Sequence, residues 1–178
     1  MNQKDRQRAL FFQIPGAWKG PGLARREGSA EFSPCGRYRY ALKRRWAEGA
    51  QVLFVMLNPS TADAARDDPT IRRCLALARA WGFGALAVGN LFAFRTPCPQ
   101  LLRTVPDPVG PDNDAWLRRL RAESALVVAA WGNHGSLHGR DRAVRPLLEG
   151  AQILGFTRQG RPRHPLYLPG TALPRPWD

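Results

Sequence analysis

At 178 residues and 44% hydrophobic, with six Trp and eight Phe, the chain can bury one full core and is too apolar for a disordered segment. Its formal charge of +13 favours an anionic partner, nucleic acid first, although an arginine-heavy composition also arises from a GC-rich genome. Cys35, Cys74 and Cys98 are scattered and form no C-x-x-C pair, which argues against a disulfide framework, a zinc site and an iron–sulfur cluster.

No apolar run approaches the ~20 residues a membrane span needs, and Ala9-Leu10-Phe11-Phe12 is too short for a signal-peptide core. A cytoplasmic monomer without cofactor is expected. Residues 1–30 mix charges with Pro15, Gly16, Gly20, Pro21, Gly22 and Gly28 and read as an arm or tail. Residues 31–178 read as one domain.

Arg37-Tyr38-Arg39-Tyr40-Ala41-Leu42-Lys43 alternates basic with aromatic or aliphatic residues, the pattern of a strand with one wet face. That face, with Arg37 and Arg39, suits phosphate contacts; an ordinary antiparallel edge strand explains it equally well. Val52-Leu53-Phe54-Val55-Met56-Leu57 is a strand buried on both faces that breaks into Asn58-Pro59-Ser60. Open α/β sheets place ligands at such carboxyl ends. Asp68-Pro69 has the order of a helix cap and first residue, and Ile71, Cys74, Leu75, Ala78 and Trp81 form one apolar stripe behind it. Asp63, Asp67 and Asp68 are explained by capping and loop solvation rather than by a magnesium site.

Gly84 to Asn90 is a second buried strand ending on an amide. A Pro-rich connection over 91–112 leads to a helix from Asp112, with Trp116, Leu117 and Leu120 inward. A third buried strand, Ala125 to Trp131, stops at Gly132-Asn133-His134-Gly135. A helix near Arg140–Leu148, distorted by Pro146, and a shorter strand at 152–156 follow, before a tail with Arg158, Arg161, Arg163, His164, Leu166 and Tyr167. These elements predict a three-layer α/β fold with a central four-stranded, mostly parallel sheet. Right-handed crossovers bring Asn58, Asn90, Asn133, His134 and His164 to one edge.

The P-loop, dinucleotide, zincin and serine-hydrolase motifs are all missing. What remains is a set of amides and imidazoles. Carboxamides read base edges, and a histidine can donate to an oxygen that gains charge. Leu57-Asn58-Pro59-Ser60 resembles the first motif of the uracil-DNA glycosylase superfamily, closest to its mismatch-specific branch. Ala87-Val88-Gly89-Asn90 is similar to that family's second strand, Val127 to Asn133 to its third, and Arg163-His164-Pro165 to the start of its final motif. The whole string from Phe32-Ser33-Pro34-Cys35-Gly36-Arg37-Tyr38 through Met56 to Asp63 and on to Trp131-Gly132-Asn133-His134-Gly135 resembles more closely a bacterial and phage family of unknown function at the edge of that superfamily.

The glycosylase resemblance implies that DNA is bound, double- or single-stranded, and that a uracil-type pyrimidine is flipped into the strand-end pocket. Asn58 would position the attacking water and His164 would donate to the departing base. Asn90, with Ser60, Asn133 and His134, would contact the base. Arg37, Arg39, Arg161 and Arg163 would bind phosphates, and Leu166 or Tyr167 would wedge into the stack. Phe92 and Phe94 are the guesses for the aromatic that stacks on the base. Met56-Leu57 stands where the family carries Gly, the final motif reads His-Pro-Leu-Tyr, and no carboxylate takes the water-activating place. Two other readings stand beside the enzyme: a nucleic-acid-binding module of the same fold without catalysis, and an enzyme on free or modified nucleotides.

Overall fold

In the computed structural model, which describes residues 27–177, seven strands form one sheet. They are β1 (Glu27–Phe32), β2 (Arg39–Arg45), β3 (Gln51–Met56), β4 (Ala85–Asn90), β5 (Leu126–Ala129), β6 (Gln152–Ile153) and β7 (Arg175–Pro176). Their spatial order is β1-β2-β4-β3-β5-β6-β7. Pairs β4–β3, β3–β5 and β5–β6 are parallel, whereas β1–β2, β2–β4 and β6–β7 are antiparallel. The sheet is therefore mixed and wider than the four-stranded, mostly parallel one expected. Three strands are added: β2, whose alternation already read as a strand, and two that sequence pattern hides, β1 being polar and largely exposed and β7 a two-residue pairing containing Pro176.

Strand β3 is buried because both faces are covered. Val52, Phe54 and Met56 pack with helix α1 (Pro69–Ala80), through Ile71, Cys74, Leu75, Ala78 and Trp81. Leu53 and Val55 pack on the other face with Leu117 and Leu120 of α2 (Asn113–Ala122) and Val144 of α3 (Arg140–Val144). Phe54 stacks on Trp81 with ring centroids 5.7 Å apart. Burying each such side chain contributes about 1.5–3 kcal/mol, so this strand anchors both helical layers.

Helix α1 begins as its sequence dictates: Asp68 Oδ1 accepts from the Ile71 N–H at 2.8 Å, and Pro69 opens the first turn. The 140–148 segment splits at Pro146, continuing after Val144 only as a 3-10 turn over Arg145–Leu148, because proline removes a helix donor. Strand β6 stops at Ile153 rather than running to 156; Phe156 instead bridges to Pro162. The expected boundary of the arm at residue 30 falls inside β1, and residues 1–26 lie outside the described residues.

Strand β2 departs most from its sequence pattern. Its pairing with β1 matches Glu31 to Ala41 but Phe32 to Arg39, so Tyr40 is an extra residue, a β-bulge. Ala41 belongs to the α2-side core, and Tyr40 stacks on Trp116 of α2 at 6.3 Å. The extra residue turns Arg39 to the opposite face, where Leu42 and Arg44 also point. Arg39 is thus buried instead of lying on a wet face with Lys43. Nor is β2 an edge strand, since β1 covers its outer side.

Gly84, just before β4, has no room for a side chain: a Cβ there would sit 2.2 Å from the Glu48 carbonyl oxygen. Its own carbonyl accepts from the Trp46 and Ala47 N–H groups, so the contact is backbone against backbone and cannot swing away. Gly84→Ala is expected to destabilise the fold by about 2 kcal/mol through overpacking. Urea denaturation would read this as a lower midpoint at constant slope; an unchanged midpoint would show that the turn relaxes freely.

Candidate functional site

The carboxyl ends of β3, β5 and β6 open into a cleft of about 840 Å³. One wall is the turn after β3, with Asn58 and Ser60, and the start of α1, with Asp68, Thr70 and Ile71. Thr96, Pro97 and Pro99 of the long connection also line it. The rest of the lining is Trp131 to His134 after β5, together with Phe156 to Arg158 and Arg163, His164, Leu166 and Tyr167 from the tail, whose Pro165–Tyr167 turn packs on α1. The cleft therefore brings together Asn58, Ser60, Asn133, His134, Arg163, His164, Leu166 and Tyr167, with Arg39 among its lining.

Three expected members are elsewhere. Asn90 is only 2% exposed and does not line the cleft. Strand order explains this: β4 lies on the side of β3 away from β5 and β6, so Met56 reaches the lining while Asn90, which pairs with it, does not. The Asn90 carbonyl accepts from Asn113 Nδ2 at 3.0 Å, and the Asn90 Nδ2 is buried without a partner among the described residues. Arg161 is taken by an ion pair from its Nη1 to Asp141 Oδ2 at 2.5 Å, which ties the tail to α3. Arg37 is exposed but lies outside the cleft, its guanidinium over the Tyr38 ring. The two guessed stacking aromatics are also corrected: Phe92 is fully buried in the α2-side core, and Phe94 packs edge-on against Tyr38.

Asn58 is held rigidly. Its Nδ2 donates to the carbonyls of Pro59 at 2.9 Å and Thr96 at 2.8 Å. Both amide hydrogens are thereby occupied, which leaves Oδ1 as a fixed acceptor at the cleft. Thr96 is set in turn by its own N–H, which donates to the Pro59 carbonyl. A strand end and a distant Pro-rich loop thus clamp one carboxamide.

His164 lines the same cleft from the tail. Its Nδ1 accepts from the Leu166 N–H at 3.3 Å, so the neutral ring carries its hydrogen on Nε2. Burial pushes its pKa below the ordinary 6.5, with the Asp68 charge opposing the shift, and the neutral form prevails at pH 7. Tyr167 lies against the imidazole at 5.8 Å and is 76% exposed. Trp131, beneath the Gly132 turn, has a buried Nε1 without a partner among the described residues. Gly135 is required above it, because a Cβ there would fall 2.0 Å from Trp131 Cδ1.

The acidic residues of the 63–68 loop are all engaged: Asp63 Oδ1 accepts from the Ala65 and Arg66 N–H groups, Asp67 pairs with Arg44, and Asp68 caps α1. Among the described residues no three His, Cys, Asp or Glu side chains gather as a metal set, and no helix is long and apolar enough to cross a membrane. Sequence reasoning missed Thr96, Trp131, Phe156, Arg158 and the α1 start as lining. The Asp68-Pro69 cap was the signal for the helix start; Thr96, within a Pro-rich connection, offered none.

A family model described as a protein of unknown function, DUF1643, matches residues 39–166. No curated protein and no solved structure matches the chain, and nothing in these comparisons links it to the uracil-DNA glycosylase superfamily.

The depressed pKa of His164 has a sign for stability. The unfolded chain takes up a proton near 6.5 while the folded ring does so only at lower pH, so the unfolded state binds more protons between those values. The stability present above pH 6.5 is expected to fall as pH drops through the folded value, and His164→Gln should remove that component from the urea midpoint's pH dependence. A ring titrating at or above 6.5 by NMR would contradict it.

Proposed function

Since the chain belongs to the DUF1643 family over most of its length, a family that brings no activity with it, we propose from the chemistry of the cleft that it hydrolyses the N-glycosidic bond of a uracil-type base flipped out of DNA. The observation that carries this reading is the Asn58 carboxamide, with both hydrogens engaged and its oxygen left as an acceptor, in the same cleft as a neutral imidazole.

In this reading a water donates to Asn58 Oδ1 and is thereby aimed at C1′ of the sugar. As the C1′–N bond breaks, its electron pair passes to the base, and the Nε2–H of His164 donates to the base oxygen that gains charge. The water oxygen bonds to C1′ and its surplus proton leaves to solvent. Ser60, Asn133 and His134 are the polar groups placed to meet the base edge. Arg158 and Arg163, both exposed, meet phosphates at the rim, and Leu166 or the protruding Tyr167 fills the vacated stack.

One observation favours a second reading, a nucleic-acid-binding module with this cleft but no catalysis. Among the described residues the one carboxylate lining the cleft, Asp68, spends its Oδ1 on capping α1, and no contact aims its other oxygen at a water on Asn58, which leaves the water's proton without a dedicated base. A duplex with one uracil opposite guanine, followed by alkali, separates the two. The catalytic reading expects strand cleavage that Asn58→Ala lowers on the order of 100-fold by releasing the water. Tight, salt-sensitive DNA binding without release of uracil, mismatched thymine or hypoxanthine would establish the module instead.

A further inference from the structure

Two arginines on one face of β2 are almost fully buried, Arg44 at 1% and Arg39 at 3% exposure. Their surroundings differ sharply. Arg44 is saturated: Nε donates to Asp67 Oδ1 at 3.0 Å, Nη1 to the Lys43 carbonyl at 2.9 Å, and Nη2 to the carbonyls of Asp63 and Arg66 at 2.5 and 3.2 Å. Arg39 makes one hydrogen bond among the described residues, from Nη1 to the Ala62 carbonyl at 2.6 Å. Its Nε is buried without an acceptor, and no described carboxylate comes within ion-pairing distance of it.

A guanidinium withdrawn from water without a counter-charge is costly, and proteins rarely leave one so unless something completes it. Burial lowers the pKa of Arg39 to about 10, so the group still carries its charge at neutral pH. The Asp68 carboxylate acts on it from a distance but spends one oxygen on the helix cap. Arg39 lines the cleft, with the hydroxyl-bearing residues Ser60, Thr70 and Thr96 also in its wall. The partner that Arg44 finds in Asp67 is the one Arg39 lacks, and the cleft is where it can be supplied.

We infer that Arg39 is the floor of an anion subsite inside the cleft and that it takes the phosphate of the same nucleotide whose base the cleft holds. This rests on the nucleotide reading above and sharpens its substrate class. Depth selects the source: a phosphate of a duplex backbone tracking the rim cannot reach a group 97% buried, whereas one that enters with its own nucleotide can. A guanidinium offers paired N–H donors to phosphate oxygens, and about 840 Å³ lies within the range of small-ligand clefts. The phosphate comes either from a free 5′-mononucleotide or from a flipped nucleotide still in its strand.

Calorimetric titration of the full chain with deoxyuridine, deoxyuridine 5′-monophosphate, inorganic phosphate and a uracil-containing single strand tests this. The mononucleotide is expected to bind at least about tenfold more tightly than the nucleoside, the strength of a charge-assisted contact, and inorganic phosphate should compete with it. Arg39→Gln should erase that advantage while leaving nucleoside affinity in place. Because a core variant can fail to fold, the nucleoside–nucleotide comparison in the unaltered protein stands as an independent measurement. Competition between phosphate and the single strand assigns the site to a flipped nucleotide; competition with the mononucleotide alone assigns it to free nucleotides. Equal affinity for nucleoside and nucleotide, an advantage that survives Arg39→Gln in a folded protein, or no binding by any of the four would overturn the subsite. A phosphate advantage without base release would leave the subsite standing and remove the hydrolytic reading.

Discussion

Everything at the cleft depends on the clamp that holds the Asn58 carboxamide between the carbonyls of Pro59 and Thr96. Strand β3 alone would deliver Asn58 to the sheet edge but leave its amide free to rotate. The Thr96 carbonyl arrives from nearly forty residues away, through a connection whose Leu91, Phe92 and Thr96 N–H groups extend the pairing with β3 past its end. That extension converts a turn into a rigid acceptor. Preorganised groups gain most where charge develops, because no reorganisation is needed during reaction.

The second constraint is the bulge at Tyr40. One extra residue in β2 places Tyr40 and Ala41 against the α2 layer and sends Arg39 under the cleft. Without it, Arg39 would alternate toward the α2 face, and the cleft would lose the one buried cation in its lining. The same strand accommodates Arg44 by giving it a carboxylate and three carbonyls, which shows what full compensation looks like in this fold.

Much of the scaffold was legible in the chain because local pattern and tertiary role agree. The apolar runs at 52–57, 84–90 and 125–131 hold the buried strands Gln51–Met56, Ala85–Asn90 and Leu126–Ala129, and Asp68-Pro69 with its stripe opens α1. Where pattern and role part, sequence reading failed for physical reasons. The polar Glu27–Phe32 pairs through its backbone alone, and its side chains leave no alternation to read. A bulge depends on strand pairing, so Arg39 looked like a wet-face residue. Asn90 and Asn58 look alike as strand-end amides, yet strand order sets Asn90 on the side of β3 away from the cleft. Thr96 shares its role with Asn58 through a backbone carbonyl, which no residue type announces.

We propose that Asn58 Oδ1 and His164 Nε2–H act on one nucleotide within the cleft that both line. A crystal structure of the protein with a single strand carrying a non-hydrolysable 2′-fluoro-deoxyuridine tests it most directly. The expected result is the base inside the cleft, its oxygen within hydrogen-bond reach of His164 Nε2, and a water on Asn58 Oδ1, each at roughly 2.7–3.2 Å. A strand bound along the surface with the cleft empty, or a base whose oxygen turns away from His164, would contradict it.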